Sequence, residues 1–194
     1  MVTLHASRKR ALTLIELLMV LAIIGLLAST LLPLVGTMKQ QANIAASKSQ
    51  LMQYVQAIQL FKGEYGYYPF TDAQMNSGVN INTLSNDFIE TLSGRDATSG
   101  KPTSMGGNRR SIAFHSFAAH EFYLNPNGEI DPTQIADRFN NTAIFIVIDG
   151  DGDGIVTVPV PFGSETAQQE LRAAVTAYVA ADPRKGCPRY YLYD

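Results

Sequence analysis

Cysteine is almost absent from this sequence, and tryptophan is absent altogether. Because Cys187 is the only cysteine, no disulfide can form within the chain, which excludes a disulfide-stapled scaffold. We expect its thiol to be buried or inert. The net charge is also small, because 15 lysines and arginines nearly balance 17 aspartates and glutamates. No basic stripe follows the first ten residues, so the composition gives no case for a nucleic-acid partner.

A long apolar run lies close to the N-terminus. Three cations, Arg8, Lys9 and Arg10, precede it, and residues 12–34 then contain one charged group, Glu16. As a helix this run would span about 34 Å, enough for the apolar core of a bilayer. Because the leader cations favour retention of their end in the cytoplasm, we expect the rest of the chain to be exported.

Two other interpretations of this run are an ordinary secretory signal peptide and a plain single-span anchor. A signal peptide usually has an apolar core of about 7–15 residues, shorter than this one, and contains no carboxylate. An ionised group at the centre of a bilayer costs about 2.5–3.5 kcal/mol, so Glu16 is a candidate functional residue. The plain anchor, with Glu16 tolerated near the interface, stays open.

The residues after the run continue as a helix of different character. Leu51, Val55 and Ile58 recur at i, i+4 and i+7, which predicts one apolar stripe that packs on a globular core. Glycines and a proline follow between residues 63 and 69, so we expect the helix to end near Gly63.

The rest of the chain combines turn signals with short apolar segments. We predict turns at Asn125–Gly128 and Asp131–Pro132. The predicted elements are a short helix over 81–92, strands over 112–117, 142–148 and 155–160, helical or mixed structure over 164–180, and an edge strand over 190–193. Together they predict an α+β fold, in which a long N-terminal helix packs on a small antiparallel sheet.

The segment Ala11-Leu12-Thr13-Leu14-Ile15-Glu16, behind its basic leader, resembles the class III signal of type IV pilins and type II secretion pseudopilins. The resemblance implies cleavage by a prepilin peptidase between Ala11 and Leu12, followed by methylation of the new amine. It also implies assembly roles for Glu16, Gly25 and Pro33. One departure is Ala11, because glycine usually stands before the cut in this family.

A physical argument about Glu16 agrees with the resemblance. After cleavage the chain would begin with the ammonium of Leu12, four residues before Glu16. In lipid, the carboxylate of one subunit can be neutralised by the ammonium of its neighbour, which relieves both buried charges. Such pairing favours a helical filament with an apolar core. Loss of the three leader cations would leave 12 basic against 17 acidic residues, a charge of −5.

A second candidate site is the run from Asp149 to Gly154, in which aspartate and glycine alternate. Asp149, Asp151 and Asp153 match the first half of an EF-hand Ca²⁺ loop, with the Ile155 carbonyl as a fourth ligand. The twelfth position carries Val160 instead of glutamate, and strands are predicted on both sides. The loop is therefore not an EF-hand.

Two interpretations of this loop stay open. In the first it binds Ca²⁺ with further ligands from Asp131, Asp137, Glu165 or water; the resemblance favours this, because major pseudopilins hold Ca²⁺ in a loop of the C-terminal sheet region. In the second it is a solvated hairpin turn without metal. A cation would stabilise the turn, since three neighbouring carboxylates repel one another.

The sequence therefore predicts a structural subunit, not an enzyme, of a type II secretion pseudopilus or a related type IV filament. No catalytic motif is present, and His115 and His120 are not spaced for a shared zinc site. The expected segments are a leader (1–11), a transmembrane and assembly half-helix (12–36), an amphipathic half-helix (37–64) and a globular periplasmic domain (65–194). We expect a single-pass inner-membrane protein.

The resemblance also names the partners. They are further copies of the chain, minor pseudopilins, the prepilin peptidase and the inner-membrane assembly platform. Two alternatives remain: a minor pilin of a surface filament, and a membrane-anchored calcium- or ligand-binding domain that never polymerises.

Overall fold

One long helix and eight short strands make up most of the described chain. The computed structural model describes residues 13–70, 78–84, 87–159 and 168–193, without the side chains of 30–34. The chain divides into two compact units, residues 1–42 and 43–194. Helix α1, Leu14–Tyr65, contributes to both units, so the predicted end near Gly63 was two residues early.

The other elements lie in the second unit, and they confirm the predicted α+β fold. They are β1 (Val79–Asn80), α2 (Asp87–Ser93), β2 (Phe122–Leu124), β3 (Ile130–Ile135), β4 (Ile144–Ile148), β5 (Ile155–Pro159), β6 (Gln168–Arg172), β7 (Val175–Val179) and β8 (Tyr190–Tyr191). An antiparallel sheet has the order β1-β4-β7-β8, while β2–β3 and β5–β6 form separate two-stranded sheets.

The second half of α1 packs through the apolar stripe that its sequence predicts. Leu51, Val55 and Ile58 are at most 1% exposed, and Tyr54 and Phe61 of the same helix are fully buried as well. Each such side chain contributes about 1.5–3 kcal/mol on burial, so the stripe is a major source of stability for this unit.

The four-stranded sheet is buried on both faces because its strands alternate. Ile144, Ile146 and Ile148 of β4 belong to the core that includes the stripe of α1. Val147, which points to the opposite face, belongs with Tyr178 to a second cluster that includes residues of β5. The β5–β6 hairpin thus covers the face of the sheet that α1 does not.

Three expectations for this unit are wrong. Residues 112–117 are irregular, and Phe114 and Phe117, three residues apart, pack against the core from a loop. Helical or mixed structure was expected over 164–180, but the described part of this range, 168–180, contains the strands β6 and β7. Asp131 and Pro132 lie inside β3 and form no turn, which a proline tolerates because β3 pairs on one side alone.

The loop after α2 closes against it through a glycine that no other residue could replace. Gly106 has φ = +57°, and a Cβ there would lie 1.8 Å from the Thr91 hydroxyl oxygen. The neighbouring Asn108 is fully buried, and its side chain donates to the carbonyls of Thr91 and Ile112 and accepts from the Tyr65 hydroxyl. These contacts fix the loop to the end of α1.

A buried chain of hydrogen bonds joins α1 to the segment before β2. The Gln50 amide donates to the Tyr54 hydroxyl at 2.7 Å, which donates to Glu121 Oε2 at 2.7 Å. His115 Nε2 lies 2.9 Å from the same oxygen, and the Ala118 N–H donates to the other at 2.9 Å. Because an ionised carboxylate can accept but not donate, Nε2 of His115 carries the proton.

These hydrogen bonds favour the ionised form of Glu121. Burial alone would raise its pKa, but donation from His115, the Ala118 amide and the Tyr54 hydroxyl holds the pKa of Glu121 below its ordinary value of 4.5. Glu121 therefore stabilises the fold at pH values above 4.5, and that contribution is lost as the pH falls through its lowered folded-state pKa.

A second buried cluster surrounds the single cysteine and confirms that its thiol is buried. Cys187 Sγ lies 3.4 Å from Asp137 Oδ2, and the Tyr190 hydroxyl donates to that oxygen at 2.6 Å. The backbone N–H groups of Phe139 and Asn141 donate to the other carboxylate oxygen. Burial, assisted by Asp137, raises the pKa of Cys187 to about 12, so the thiol stays protonated and unreactive near neutral pH.

We predict that Glu121→Gln lowers the free energy of unfolding near neutral pH by about 1–3 kcal/mol, because a charged acceptor of three donors is lost. Thermal melting of the full chain in mild detergent measures the effect. The melting temperature of the wild type should fall more steeply below pH 4.5 than that of the variant. Glu170→Gln, on the exposed strand β6, is the control. Parallel pH profiles for wild type and Glu121→Gln would contradict the assignment.

Candidate assembly and metal sites

Helix α1 begins with a capping box formed by Thr13 and Glu16. The backbone N–H and the hydroxyl of Thr13 both donate to Glu16 Oε2, at 2.8 and 2.9 Å. The N–H of Glu16 lies 3.3 Å from the Thr13 hydroxyl oxygen. This arrangement satisfies backbone donors at the helix start and places a carboxylate where the helix dipole favours it. Sequence reasoning identified Glu16 but missed this role of Thr13, although the T-x-x-E spacing signals it.

The apolar side chains that follow are exposed on all sides of the helix within the subunit. They are between 47% and 78% exposed, and they comprise Leu14, Ile15, Leu17, Leu18, Met19, Val20, Leu21, Ile23, Ile24, Leu26 and Leu27. We call this set the stem. A Cβ on Gly25 would meet no atom within 4 Å, so no contact within the described subunit requires glycine there. A continuous apolar surface of this size is characteristic of an interaction site.

Part of the predicted processing and membrane segment cannot be compared with the structure. Ala11, Leu12 and the side chain of Pro33 lie outside the described residues. Over the part of the chain that the structure does describe, no helix has the length and apolarity needed to cross a membrane. The predicted span of residues 12–36 is therefore not confirmed.

The acidic loop brings its three aspartates together at the turn between β4 and β5. One carboxylate oxygen from each of Asp149, Asp151 and Asp153 lies within 4.8 Å of the others. Asp149 is buried, and it accepts from the N–H groups of Gly152 at 2.8 Å and Gly154 at 2.9 Å. Sequence reasoning placed these residues together correctly.

Backbone donors keep Asp149 ionised. Desolvation works against its charge, but the N–H groups of Gly154 and Gly152 hold the pKa of Asp149 below its ordinary value. Asp153 has a similar local role, because its carboxylate accepts from the Ile155 N–H at 2.7 Å. The turn is therefore organised by its own carboxylates.

The spacing of the oxygens fits one divalent cation. Two oxygens that each lie about 2.3–2.6 Å from a Ca²⁺ ion are at most about 5 Å apart, and the three carboxylates meet that limit. Asp149 retains lone pairs for a metal, because each carboxylate oxygen offers two acceptor sites. The Ile155 carbonyl, predicted as a fourth ligand, belongs to the first residue of β5 and stays a prediction.

Two of the additional ligands considered for this site have other partners. Asp137 is held in the cluster around Cys187, and Asp131 accepts from the backbone and hydroxyl of Thr133. Glu165 lies outside the described residues. Among the described residues, the metal-compatible group comprises Asp149, Asp151 and Asp153.

Comparison with known proteins bears on the first site. The family described as the prokaryotic N-terminal methylation motif matches residues 6–32, which include Ala11, Leu12 and Glu16. The type II secretion system core protein G of Escherichia coli strain K12 is 31% identical over 78 residues, 40% of this chain and 54% of that protein. The chain thus spans about half the length of this curated relative. No solved structure gives a significant match.

We predict that Asp149→Ala lowers the melting temperature by several degrees in the presence of a chelator, because two loop N–H groups lose their acceptor. Asp151→Ala, an exposed residue of the same loop, is the matched control and should change the chelated protein little. Differential scanning fluorimetry of the full chain in detergent measures both. Equal melting temperatures for the two variants would show that Asp149 does not organise the turn.

Proposed function

We propose that the chain is a type IV pilin-like protein and a structural subunit of a type II secretion pseudopilus, because of its N-terminal methylation motif and its similarity to a type II secretion core protein. One observation carries the proposal: a single carboxylate, Glu16, lies among the exposed apolar side chains of the stem. A surface of that composition requires lipid before assembly and other copies of the stem after it.

The stem supplies the association. Its side chains would be sheltered by lipid in a membrane pool and by neighbouring stems in a filament. Because lipid is as apolar as the stem, transfer between the two gains little hydrophobic free energy, and close packing and polar pairing must decide the balance. A single polar residue can therefore contribute a large share of the free energy of association.

Glu16 supplies the polar pairing. In the single subunit, the Glu16 carboxylate accepts hydrogen bonds from the backbone N–H and the hydroxyl of Thr13. After cleavage between Ala11 and Leu12, the ammonium of a neighbouring subunit would add a positive partner. Removal of one member of a pair in an apolar environment costs about 3–5 kcal/mol, far more than at a surface.

The same proposal fixes the location and the partners. The basic leader would hold the N-terminus in the cytoplasm, so residues 43–194 would lie in the periplasm. A prepilin peptidase would cleave and methylate the chain, and an inner-membrane platform would extract it into a filament that also contains minor pseudopilins. The subunit would act mechanically, without catalysis.

For the acidic loop we propose a Ca²⁺ site formed by Asp149, Asp151 and Asp153, with water completing the coordination. The spacing of the oxygens supports it, as does the ionised state of Asp149. The role would be structural, because a cation that neutralises adjacent carboxylates stabilises the turn between β4 and β5. A membrane-anchored cation-binding domain that never polymerises is the second candidate function, and this loop is the observation that favours it.

We predict that Glu16→Gln and Glu16→Ala reduce the yield of filaments at least about tenfold, because the neighbour's ammonium loses its counter-charge in an apolar environment. Filaments sheared from cells or pelleted from membranes are quantified by immunoblot. The control Glu170→Gln changes an exposed carboxylate of the second unit and should assemble normally.

Two further measurements make this result decisive. The mass of the mature N-terminus must show cleavage between Ala11 and Leu12 in wild type and variants, so that a processing defect is not mistaken for an assembly defect. The melting temperature of the variants must equal that of the wild type. Normal filaments from processed, folded Glu16→Ala would overturn the proposed function and favour the non-polymerising domain.

We predict that millimolar Ca²⁺ raises the melting temperature of the full chain relative to a chelator. A ligand present at a hundred times its dissociation constant stabilises the folded state by about 2.7 kcal/mol. Asp151→Asn should abolish the increase without lowering the chelated melting temperature, while Asp87→Asn, a helix residue remote in sequence, should preserve it. An identical melting temperature of the wild type in Ca²⁺ and in chelator would exclude the metal site.

A further inference from the structure

We propose that Asn127 is a site of covalent modification, at which the side-chain amide is lost as ammonia through a succinimide and an isoaspartate remains. The residue lies at the tip of the β2–β3 hairpin, in the turn from Asn125 to Gly128 that the sequence predicts. The proposal does not depend on the filament, because it uses only residues of this hairpin and water.

The sequence places a reactive pair of residues at this tip. Asn127 and Gly128 form the one asparagine–glycine pair in the chain. Asparagine is thermally labile in proteins, because its side-chain carbonyl carbon lies within reach of the backbone nitrogen of the next residue. Glycine has no Cβ, so its nitrogen is the least hindered to approach. Attack between two groups held in one chain is further favoured by their proximity.

The structure leaves the side chain of Asn127 able to reach that nitrogen. Asn127 and Gly128 are both exposed. Within the part of the chain that the structure describes, the Asn127 side-chain amide has no hydrogen-bond partner, and its backbone N–H donates to the Asn125 side chain. The amide is therefore able to rotate until its carbonyl carbon faces the Gly128 nitrogen.

Other asparagines in the described chain are held or blocked. Asn82, Asn108 and Asn141 donate from their side-chain amides to backbone carbonyls, which fixes their orientation. Asn125 precedes a proline, whose ring nitrogen carries no proton to lose. Asn127 differs from them, because its amide is unheld and the next residue is glycine.

The reaction balances with water as the only co-reactant. The Gly128 nitrogen attacks Cγ of Asn127, a C–N bond closes the succinimide ring, and the N–H proton leaves with the side-chain amino group as ammonia. Water then opens the ring, with its hydroxyl going to a carbonyl carbon and its proton to the nitrogen. Opening at Cγ gives aspartate, whereas opening at the main-chain carbonyl carbon gives isoaspartate, whose backbone runs through Cβ and Cγ.

The closed turn opposes this reaction. The Gly128 N–H donates to the Asn125 carbonyl at 2.8 Å, so the attacking nitrogen is engaged while the turn is closed. The Asn125 side-chain oxygen also accepts from the N–H groups of Asn127 and Glu129, at 2.9 and 3.0 Å. Because a bonded amide must be released before its nitrogen can lose a proton, the rate depends on how often the turn opens.

The product no longer fits the turn from which it forms. Isoaspartate lengthens the backbone by one atom between residues that three hydrogen bonds now hold in place. Its new carboxylate also lies two residues from Glu129, and like charges at that separation repel each other. The modification therefore acts in one direction and loosens the tip of the hairpin.

Peptide mapping of the full chain tests the site. The protein is kept in mild detergent at mildly alkaline pH and digested with pepsin in acid, and mass spectrometry with fragmentation then distinguishes isoaspartate from aspartate. We expect Asn127 to be lost before the other asparagines, with isoaspartate as the larger product. Asn127→Gln should abolish this product, because glutamine would have to close a larger ring. Loss of another asparagine before Asn127, or aspartate without isoaspartate, would overturn the proposal.

A pair of variants at Asn125 tests the dependence on the turn. Asn125→Ala removes the acceptor of two backbone N–H groups and should accelerate the loss of Asn127 about tenfold, because the turn then opens more often. Asn125→Asp retains an acceptor oxygen and is the matched control, with a rate within about twofold of the wild type. Equal rates for Asn125→Ala and the wild type would show that the turn does not limit the reaction and would overturn that step.

Discussion

The fold depends on where helix α1 places its apolar side chains, and its two halves differ in this respect. From Leu51 to Ile58 a single stripe is buried in the same core as the four-stranded sheet, so this half is stabilised within the subunit. From Leu14 to Leu27 apolar side chains are exposed in every direction, and neither described core cluster includes them. A continuous apolar surface of this kind is characteristic of an interaction site.

The elements that could be predicted are those encoded by local periodicity. The stripe at Leu51, Val55 and Ile58 and the β-branched strand β4 were both predictable, because burial imposes periods of 3.6 and 2. The strand expected over 112–117 was wrong because an irregular loop can also direct apolar side chains such as Phe114 and Phe117 into the core. Within the sites, the aspartate spacing and Glu16 were visible in the sequence. The contacts of Glu121 were not, because its partner Tyr54 is 67 residues away in the sequence.

The two buried polar clusters fix irregular segments of the chain to the core around a small sheet. Each places one carboxylate, Glu121 or Asp137, where several donors from distant parts of the chain converge. A satisfied buried carboxylate is directional, whereas apolar packing is not, so it specifies which loop meets which face of the core. The loops around α1 are therefore fixed by hydrogen bonding more than by regular secondary structure.

The same difference between directional polar contacts and non-directional apolar packing applies to the stem. Apolar side chains can associate in many registers, because their packing is tolerant of small displacements. One polar residue in an apolar seam selects a register at a cost in stability, as an asparagine does in a coiled coil. Glu16 is suited to that role, because the capping box with Thr13 gives its carboxylate a satisfied state in the single subunit. In the proposed filament, a register that brings a neighbour's ammonium to this carboxylate would be favoured, because a misaligned register would leave both charges in an apolar environment without each other.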